Sequence, residues 1–284
     1  LSRIVYLNGA WLPEADAKVS IFDRGFLFAD AIYEVTGVVG GKLLEYEGHA
    51  ARLQRSMTEL GITCPLSPDD LLEVHREIVR RNALNEGLIY LQISRGTADR
   101  DFAYPKDPTP TLTLFTQAKP VLDNPKVATG ISVALLPDQR WARRDIKTVQ
   151  LLYPSMAKME AASRGADDAW LVEDGFVTEA SSATAHIISK DGRLITRPLS
   201  HAILHGITRA SVLDIAEEAG IAFEERAFTP DEAMDAAEAF ITSATNFVLP
   251  VVSIDGQPVG DGKPGPLTLK LRALYIARKT ASAI

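Results

Sequence analysis

The stretch Arg144-Asp145-Ile146-Lys147-Thr148-Val149-Gln150-Leu151-Leu152 sets a lysine behind a charged run and at the head of an apolar, helix-compatible segment. Burial disfavours the ammonium form of a lysine, and a neutral amine can attack a carbonyl to give a Schiff base. Most lysines are solvated surface charges, so Lys147 needs chemically suitable company before it means anything. Four other places could supply it. Glu179, in Thr178-Glu179-Ala180-Ser181-Ser182, is a carboxylate at the end of a short strand followed by small residues, a setting that admits a planar ligand with a protonated ring nitrogen. His205-Gly206-Ile207-Thr208-Arg209 places a glycine and a threonine at the start of a helix, where free N–H groups and the helix dipole attract an anion. Arg52 sits at the edge of an apolar helix face and could fork onto a phosphate. Arg100, in a polar loop beside Phe102, could clamp a carboxylate. Each also has an ordinary explanation: a turn glutamate, a helix cap, a snorkelling arginine, a solvated loop charge.

Other chemistries lack their residues. There is no Gly-x-x-x-x-Gly-Lys-Ser/Thr loop, no Gly-x-Gly-x-x-Gly after a strand, and no Gly-x-Ser-x-Gly elbow around Ser181 and Ser182. His201 and His205 stand four apart without a third ligand, and no metal site is expected.

The elements that must carry these residues are strands gathered in hairpins with helices between them, which is α+β rather than strict βαβ alternation. Residues 3–7 and 10–12 flank an Asn8-Gly9 turn, and residues 19–22 read as a further strand that Asp23-Arg24-Gly25 interrupts. Residues 31–39 and 42–46 pair across Gly40-Gly41. Residues 47–60 form an amphipathic helix stopped by Gly61, and Ser67-Pro68 starts another that runs to about 83. Strands follow at 88–94 and 111–116, separated by the long loop 95–110, a length that is often functional. In the second half the pattern predicts strands at 130–136, 169–173, 176–178, 184–189, 194–196, 222–226, 239–242 and 248–254. Helices are expected at 148–164, 207–219, after Thr229-Pro230, and from about Pro266. The proline-bearing stretch 121–127 divides a smaller N-terminal domain (1–120) from a larger C-terminal one (128–284) that would carry Lys147.

Composition bounds the setting. The chain has 284 residues, 46% of them hydrophobic and 24% charged, a net charge of −7 and one cysteine, Cys64. That acidity argues against non-specific binding to nucleic acid or an anionic membrane. A lone cysteine excludes an internal disulfide, and no apolar run is long enough to span a bilayer. The expectation is a cytoplasmic protein with small-molecule chemistry.

Taken in order, Phe22-Asp23-Arg24-Gly25, Asp30-Ala31-Ile32-Tyr33-Glu34, Arg52-Leu53, Asp145-Ile146-Lys147, Asp174-Gly175-Phe176-Val177-Thr178-Glu179, Gly206-Ile207-Thr208-Arg209 and Ile241-Thr242-Ser243 resemble the fold type IV pyridoxal-phosphate enzymes over nearly the whole chain. This group includes D-amino-acid aminotransferases, branched-chain aminotransferases and aminodeoxychorismate lyase. The resemblance implies a two-domain fold with pyridoxal 5′-phosphate between the domains. It makes Lys147 the Schiff-base lysine and proton shuttle and gives the ring nitrogen to Glu179. Phosphate contacts fall to Arg52, to the amides of Ile207 and Thr208, and to Ser243-Ala244, with Tyr33 beside the cofactor. It also implies a homodimer in which the partner's 95–105 loop completes each site. Arg95-Gly96-Thr97-x-x-Arg100 is similar to the D-amino-acid group, where the arginine binds the substrate carboxylate together with a histidine two residues on; here that position is Phe102. Ala180 and Ala244 replace a glycine and a threonine usual in the family. The implied activity is ping-pong transfer of an amino group from a D-amino acid such as D-alanine to 2-oxoglutarate or pyruvate. An (R)-amine:pyruvate transaminase, a branched-chain L-amino-acid aminotransferase, aminodeoxychorismate lyase and a non-catalytic protein on the same fold stand as alternatives. The joint presence of Lys147 and Glu179 argues against the last.

Overall fold

A computed structural model describes residues 2–284, and its contacts divide the chain into two compact units. The first runs to Val121 and takes in two excursions, Ile146–Gln150 and Ser282–Ile284; the second holds Leu122–Asp145 and Leu151–Ala281.

The first unit opens with β1 (Ile4–Leu7) and β2 (Ala10–Pro13). They are joined by Asn8 and Gly9 at φ 47° and 90°, the positive angles that a tight hairpin turn requires. Next come α1 (Arg24–Phe28), β3 (Ala31–Val39), β4 (Lys42–Leu43), α2 (Tyr46–Leu60), α3 (Pro68–Arg81), β5 (Glu86–Ser94) and β6 (Thr111–Ala118). The strands make a six-stranded sheet in the order β2-β1-β6-β5-β3-β4. At its centre β3 and β5 run antiparallel, from Ala31 opposite Ser94 to Val39 opposite Glu86. α2 buries Tyr46, His49, Arg52, Leu53, Ser56 and Met57, a stripe at steps of three and four. His49, Arg52 and Ser56 are polar groups on that inward stripe, so each needs a partner inside the unit. α3 starts at Ser67, whose Oγ accepts from the Asp70 N–H at 3.2 Å.

The second unit contains α4 (Lys126–Thr129), β7 (Ile131–Pro137), α5 (Leu152–Ser163), β8 (Asp168–Glu173), β9 (Phe176–Ala180), β10 (Thr184–Ile188), β11 (Leu194–Thr196), α6 (Ile207–Glu218), β12 (Phe223–Glu225), α7 (Pro230–Met234), β13 (Glu238–Ser243), β14 (Phe247–Ile254), β15 (Gln257–Pro258) and α8 (Pro266–Ala281). Its nine-stranded sheet runs β12-β11-β10-β13-β14-β7-β8-β9, with β15 on β14. Trp170, Ile187, Phe228, Ile241, Leu249 and Val251 belong to its main core. On the other side α5 packs Ala157 and Ala161 against Ala134, Leu136, Ala169 and Leu171, where small helix residues allow close approach to the sheet.

Two expectations are corrected. Residues 19–22 form no strand: Val19, Ile21 and Phe22 are exposed, and only Asp23 makes an isolated bridge, to Thr97. β-branched and aromatic residues favour strands only where a neighbouring strand can pair with them. The helix expected from 148 begins at Leu152, because residues 147–149 bond to β3 instead. By the same contacts residues 146–150 group with the first unit. Asp23, read as a pattern breaker, caps α1 by accepting from the Gly25 N–H at 2.8 Å. α4 and β15 are short elements that the sequence pattern does not announce. Among the described residues no helix is long and apolar enough to cross a membrane.

Two buried histidines make stability depend on pH. Burial lowers the His75 pKa from 6.5 to about 4 against a hydrogen bond to the Leu71 carbonyl. Burial, then the Arg209 charge, holds His186 well below its ordinary range. Both stay neutral when folded and become charged when unfolded, so stability falls as pH drops from about 6.5 to 4. His75→Leu should flatten that slope by on the order of 3 kcal/mol, read from urea midpoints at pH 7 and pH 4; an unchanged slope would show that His75 is protonated in the fold.

Candidate active site

Lys147 is held to the first unit by the edge of β3. β4 pairs only with Val38 and Val39, which leaves the other end of that edge open, and an open edge is a row of unpaired donors and acceptors. The segment around Lys147 fills it. The Tyr33 N–H donates to the Lys147 carbonyl at 2.9 Å, and the Val149 N–H donates to the Ala31 carbonyl at 3.1 Å. The Lys147 N–H reaches Ser56 Oγ on α2 at 3.4 Å. The backbone is therefore pinned from two elements while the side chain, half-buried, brings Nζ to 4.3 Å from the centre of the Tyr33 ring.

Tyr33 is part of an aromatic ladder on one face of the sheet. It stacks on Tyr90 at 5.5 Å, and Tyr90 stacks on Phe115 at 4.8 Å. Its neighbour Glu34 points to the opposite face, toward α2, as strand alternation requires. There Arg52 forks onto Glu34 at 2.8 Å through both Nε and Nη2, and His49 Nδ1 donates to the same carboxylate at 2.8 Å. These bonds account for the polar stripe of α2. Burial alone would raise the Glu34 carboxyl, but the Arg52 charge and the bonds from Arg52 and His49 outweigh it and hold the group well below the usual carboxylate range.

In the second unit the segment after β7 brings Asp138, Arg140 and Arg144 beside β9. Glu179 is buried and accepts from Arg140 Nη1 and from the Leu204 N–H, at 3.3 Å to Oε1 and 3.2 Å to Oε2. Burial raises its carboxyl above the ordinary value, and the Arg140 charge and hydrogen bond offset only part of that. Two residues beyond Leu204, Gly206 is the N-cap of α6 and makes no side-chain cap bond to the first turn, where the amides of Ile207 and Thr208 stand. A Cβ at Gly206 would come within 2.9 Å of Thr184 Oγ1, so the approach admits nothing larger than glycine without a shift. Thr184 also pairs with Thr242 across β10 and β13, and Ser243 and Ala244 follow at the β13–β14 turn. Ser243 Oγ accepts from the Asn246 N–H at 3.2 Å. Glu179, the start of α6 and the end of β13 are thus linked within this unit through Leu204 and Thr184, and Arg52, Tyr33 and Lys147 within the other.

Arg100 and Phe102 lie on the loop 95–110 of the first unit. The loop is tied down by buried Arg24 and Arg95, which share Asp30 at 2.7 Å each. Arg24 also donates to the Asp101 carbonyl at 2.7 Å. At Gly96 a Cβ would lie 1.8 Å from the Thr109 carbonyl, so the two ends of the loop touch. Phe102 is 78% exposed and meets the Phe28 ring edge-on at 5.6 Å; Arg100 lies 5.5 Å from both rings.

The sequence reading overlooked the roles of Glu34, His49, Ser56, Asp138 and Arg140. For the α2 set a signal existed: His49, Arg52 and Ser56 recur at three and four, the spacing of a single helix face. Nothing in the spacing of Asp138 and Arg140 marks them out.

The profile of the class IV amino-transferases matches residues 31–254. The D-alanine aminotransferase of Bacillus licheniformis is 41% identical over 266 residues, 93% of this chain and 93% of its own length. That of Staphylococcus aureus (strain MSSA476) is 38% identical over 271 residues, 94% of this chain and 95% of its own. Among solved structures, the branched-chain aminotransferase of the thermophilic archaeon Thermoproteus uzoniensis with norvaline superposes with a TM-score of 0.87 at 26% identity, covering 97% of this chain and 94% of its own.

Proposed function

Since the chain belongs to the class IV aminotransferases, we propose that it is a pyridoxal-phosphate transaminase that moves the amino group of a D-amino acid, D-alanine foremost, to 2-oxoglutarate or pyruvate. The observation that carries this reading is the pinned position of Lys147, with its backbone fixed by β3 and α2 and its amine beside the Tyr33 ring. The residues suit the cofactor. The amides of Ile207 and Thr208 open α6 behind a glycine cap that makes no side-chain bond and that a Cβ would crowd, and a buried carboxylate stands at Glu179. Bound pyridoxal phosphate supplies a carbonyl that an amine can join and a ring that withdraws electrons. Lys147 would hold the cofactor and carry the proton to and from the substrate α-carbon. Glu179 would pair with the ring nitrogen. Arg52, the Ile207 and Thr208 amides and Ser243-Ala244 take the phosphate, and Tyr33 orients the bound groups. Arg100 takes the substrate carboxylate.

Specificity for a D-amino acid rests on Arg100 and on relatives that carry that name. A second reading, an (R)-amine:pyruvate transaminase, is favoured by one feature: the arginine stands against Phe28 and Phe102, two apolar rings that would accept an aryl or alkyl group. A donor panel of D-alanine, D-glutamate, L-leucine and (R)-1-phenylethylamine, each with pyruvate and 2-oxoglutarate, separates them. D-alanine should be the best donor, and a preference for L-leucine would overturn the proposal.

We also propose that the working form is a homodimer whose sites are completed by the partner's 95–105 loop. Ile21, Phe22, Phe26, Phe102 and Tyr104 are 49–78% exposed on the first unit, and Arg24 bonds the loop to α1. An apolar group of that size is unusual on a surface that stays in water. Phe26→Glu should shift the protein from dimer to monomer in sedimentation at micromolar concentration and remove activity with it; a wild-type protein that sediments as a monomer would contradict this.

A further inference from the structure

Glu179 and Arg140 form a pair whose construction says more than a salt bridge would. The Arg140 guanidinium is fixed by Asp138, with Nε on Oδ1 at 2.9 Å and Nη2 on Oδ2 at 2.6 Å. The Arg140 N–H returns to Oδ1 at 3.1 Å. Asp138 is fixed in turn by Thr178, whose Oγ1 donates to Oδ2 at 2.6 Å from the residue next to Glu179 on β9. The remaining Nη1 bonds Glu179 Oε1. Among the described residues Oε2 receives the Leu204 N–H at 3.2 Å and no other donor, so one edge of the carboxylate keeps its accepting capacity.

Burial works against this carboxylate. Left alone in such a place, a glutamate takes up a proton, and a neutral acid cannot keep a neighbouring ring nitrogen protonated. The charged groups bearing on Glu179 are Arg140, which favours its ionised form, and Asp138, which disfavours it. Arg144 lies 3.7 Å from Asp138 and forks onto Glu173 at 2.7 Å, so it is committed elsewhere. We infer that Arg140 is the positioning residue of the site: held rigid by Asp138 and Thr178, it keeps Glu179 an anion and turns its Oε2 edge toward the bound cofactor's ring nitrogen. This rests on the reading of Glu179 as the partner of that nitrogen. Arg140 would act through Glu179.

The test is a pH titration of the absorption band of the holoprotein for wild type, Glu179→Gln, Arg140→Met and Arg140→Lys, with cofactor affinity measured by fluorescence titration of each apoprotein. A ring nitrogen that loses its proton withdraws fewer electrons, so the band should titrate higher by about one pH unit or more in Glu179→Gln and in Arg140→Met alike. Arg140→Lys, which restores the charge without the fork, should return most of the way to wild type. If Glu179→Gln leaves the titration unchanged, the ring-nitrogen reading of Glu179 fails. If Glu179→Gln shifts it and Arg140→Met does not, Arg140 is a structural ion pair only and the inference is overturned. Should Arg140→Met not fold, Asp138→Asn/Arg140→Met removes the stranded acid, leaves Glu179 without its cation, and must show the same shift.

Discussion

Lys147→Ala is expected to abolish amino-group transfer while leaving the protein folded. The side chain removed is half-buried and makes its contact with the Tyr33 ring, whereas the bonds that hold the strap to β3 run through backbone atoms of residues 147 and 149 and survive the substitution. The loss should therefore appear in turnover and not in stability. Removing a proton-transfer group alone costs about 10²–10⁴-fold in rate. Removing the cofactor's attachment as well should take activity below detection. Far-UV circular dichroism and the melting temperature should stay close to wild type. Turnover within tenfold of wild type would mean that another lysine does the work.

The second large effect is on the fold. Arg52→Leu strands Glu34, a buried carboxylate whose remaining partner is His49 at 2.8 Å. Breaking a buried ion pair by removing one member costs about 3–5 kcal/mol, because the other charge is left without compensation. The apoprotein should lose that amount in urea unfolding, and cofactor affinity should fall as well. Glu34→Gln/Arg52→Leu should lose less than the sum of its two single variants, since no charge is then stranded. The pH dependence has a definite sign. The folded Glu34 carboxyl lies below its unfolded value, so its contribution is present above about pH 4 and disappears as pH falls further. A loss of under about 1 kcal/mol for Arg52→Leu would show that the pair is solvated.

Local chemistry was legible wherever it was local. Asn8-Gly9 and Asp174-Gly175 mark hairpins because only a few residues accept positive φ there, and Ser67-Pro68 and Thr229-Pro230 mark helix starts because their hydroxyls cap the first turn. Lys147, Glu179, Arg52 and Thr208 were legible as candidates for chemistry, and their roles are proposals. The setting of Lys147 was not: its strap is fixed by Ala31 and Tyr33, more than a hundred residues away, and no periodicity within 147–152 reports an open edge on β3. Glu34 and His49 became visible only through the register that places β3 under α2, and Arg140 only through the fold that sets the end of β7 beside β9. Residues 19–22 misled because apolar residues suit a strand and an exposed surface equally well.

The most direct test of the account is borohydride reduction of the purified, cofactor-loaded protein followed by peptide mapping. The account predicts one pyridoxyl-phosphate adduct, on the peptide that carries Lys147, with the yellow colour lost on reduction. An adduct on a different lysine, or none from protein saturated with pyridoxal phosphate, would contradict it.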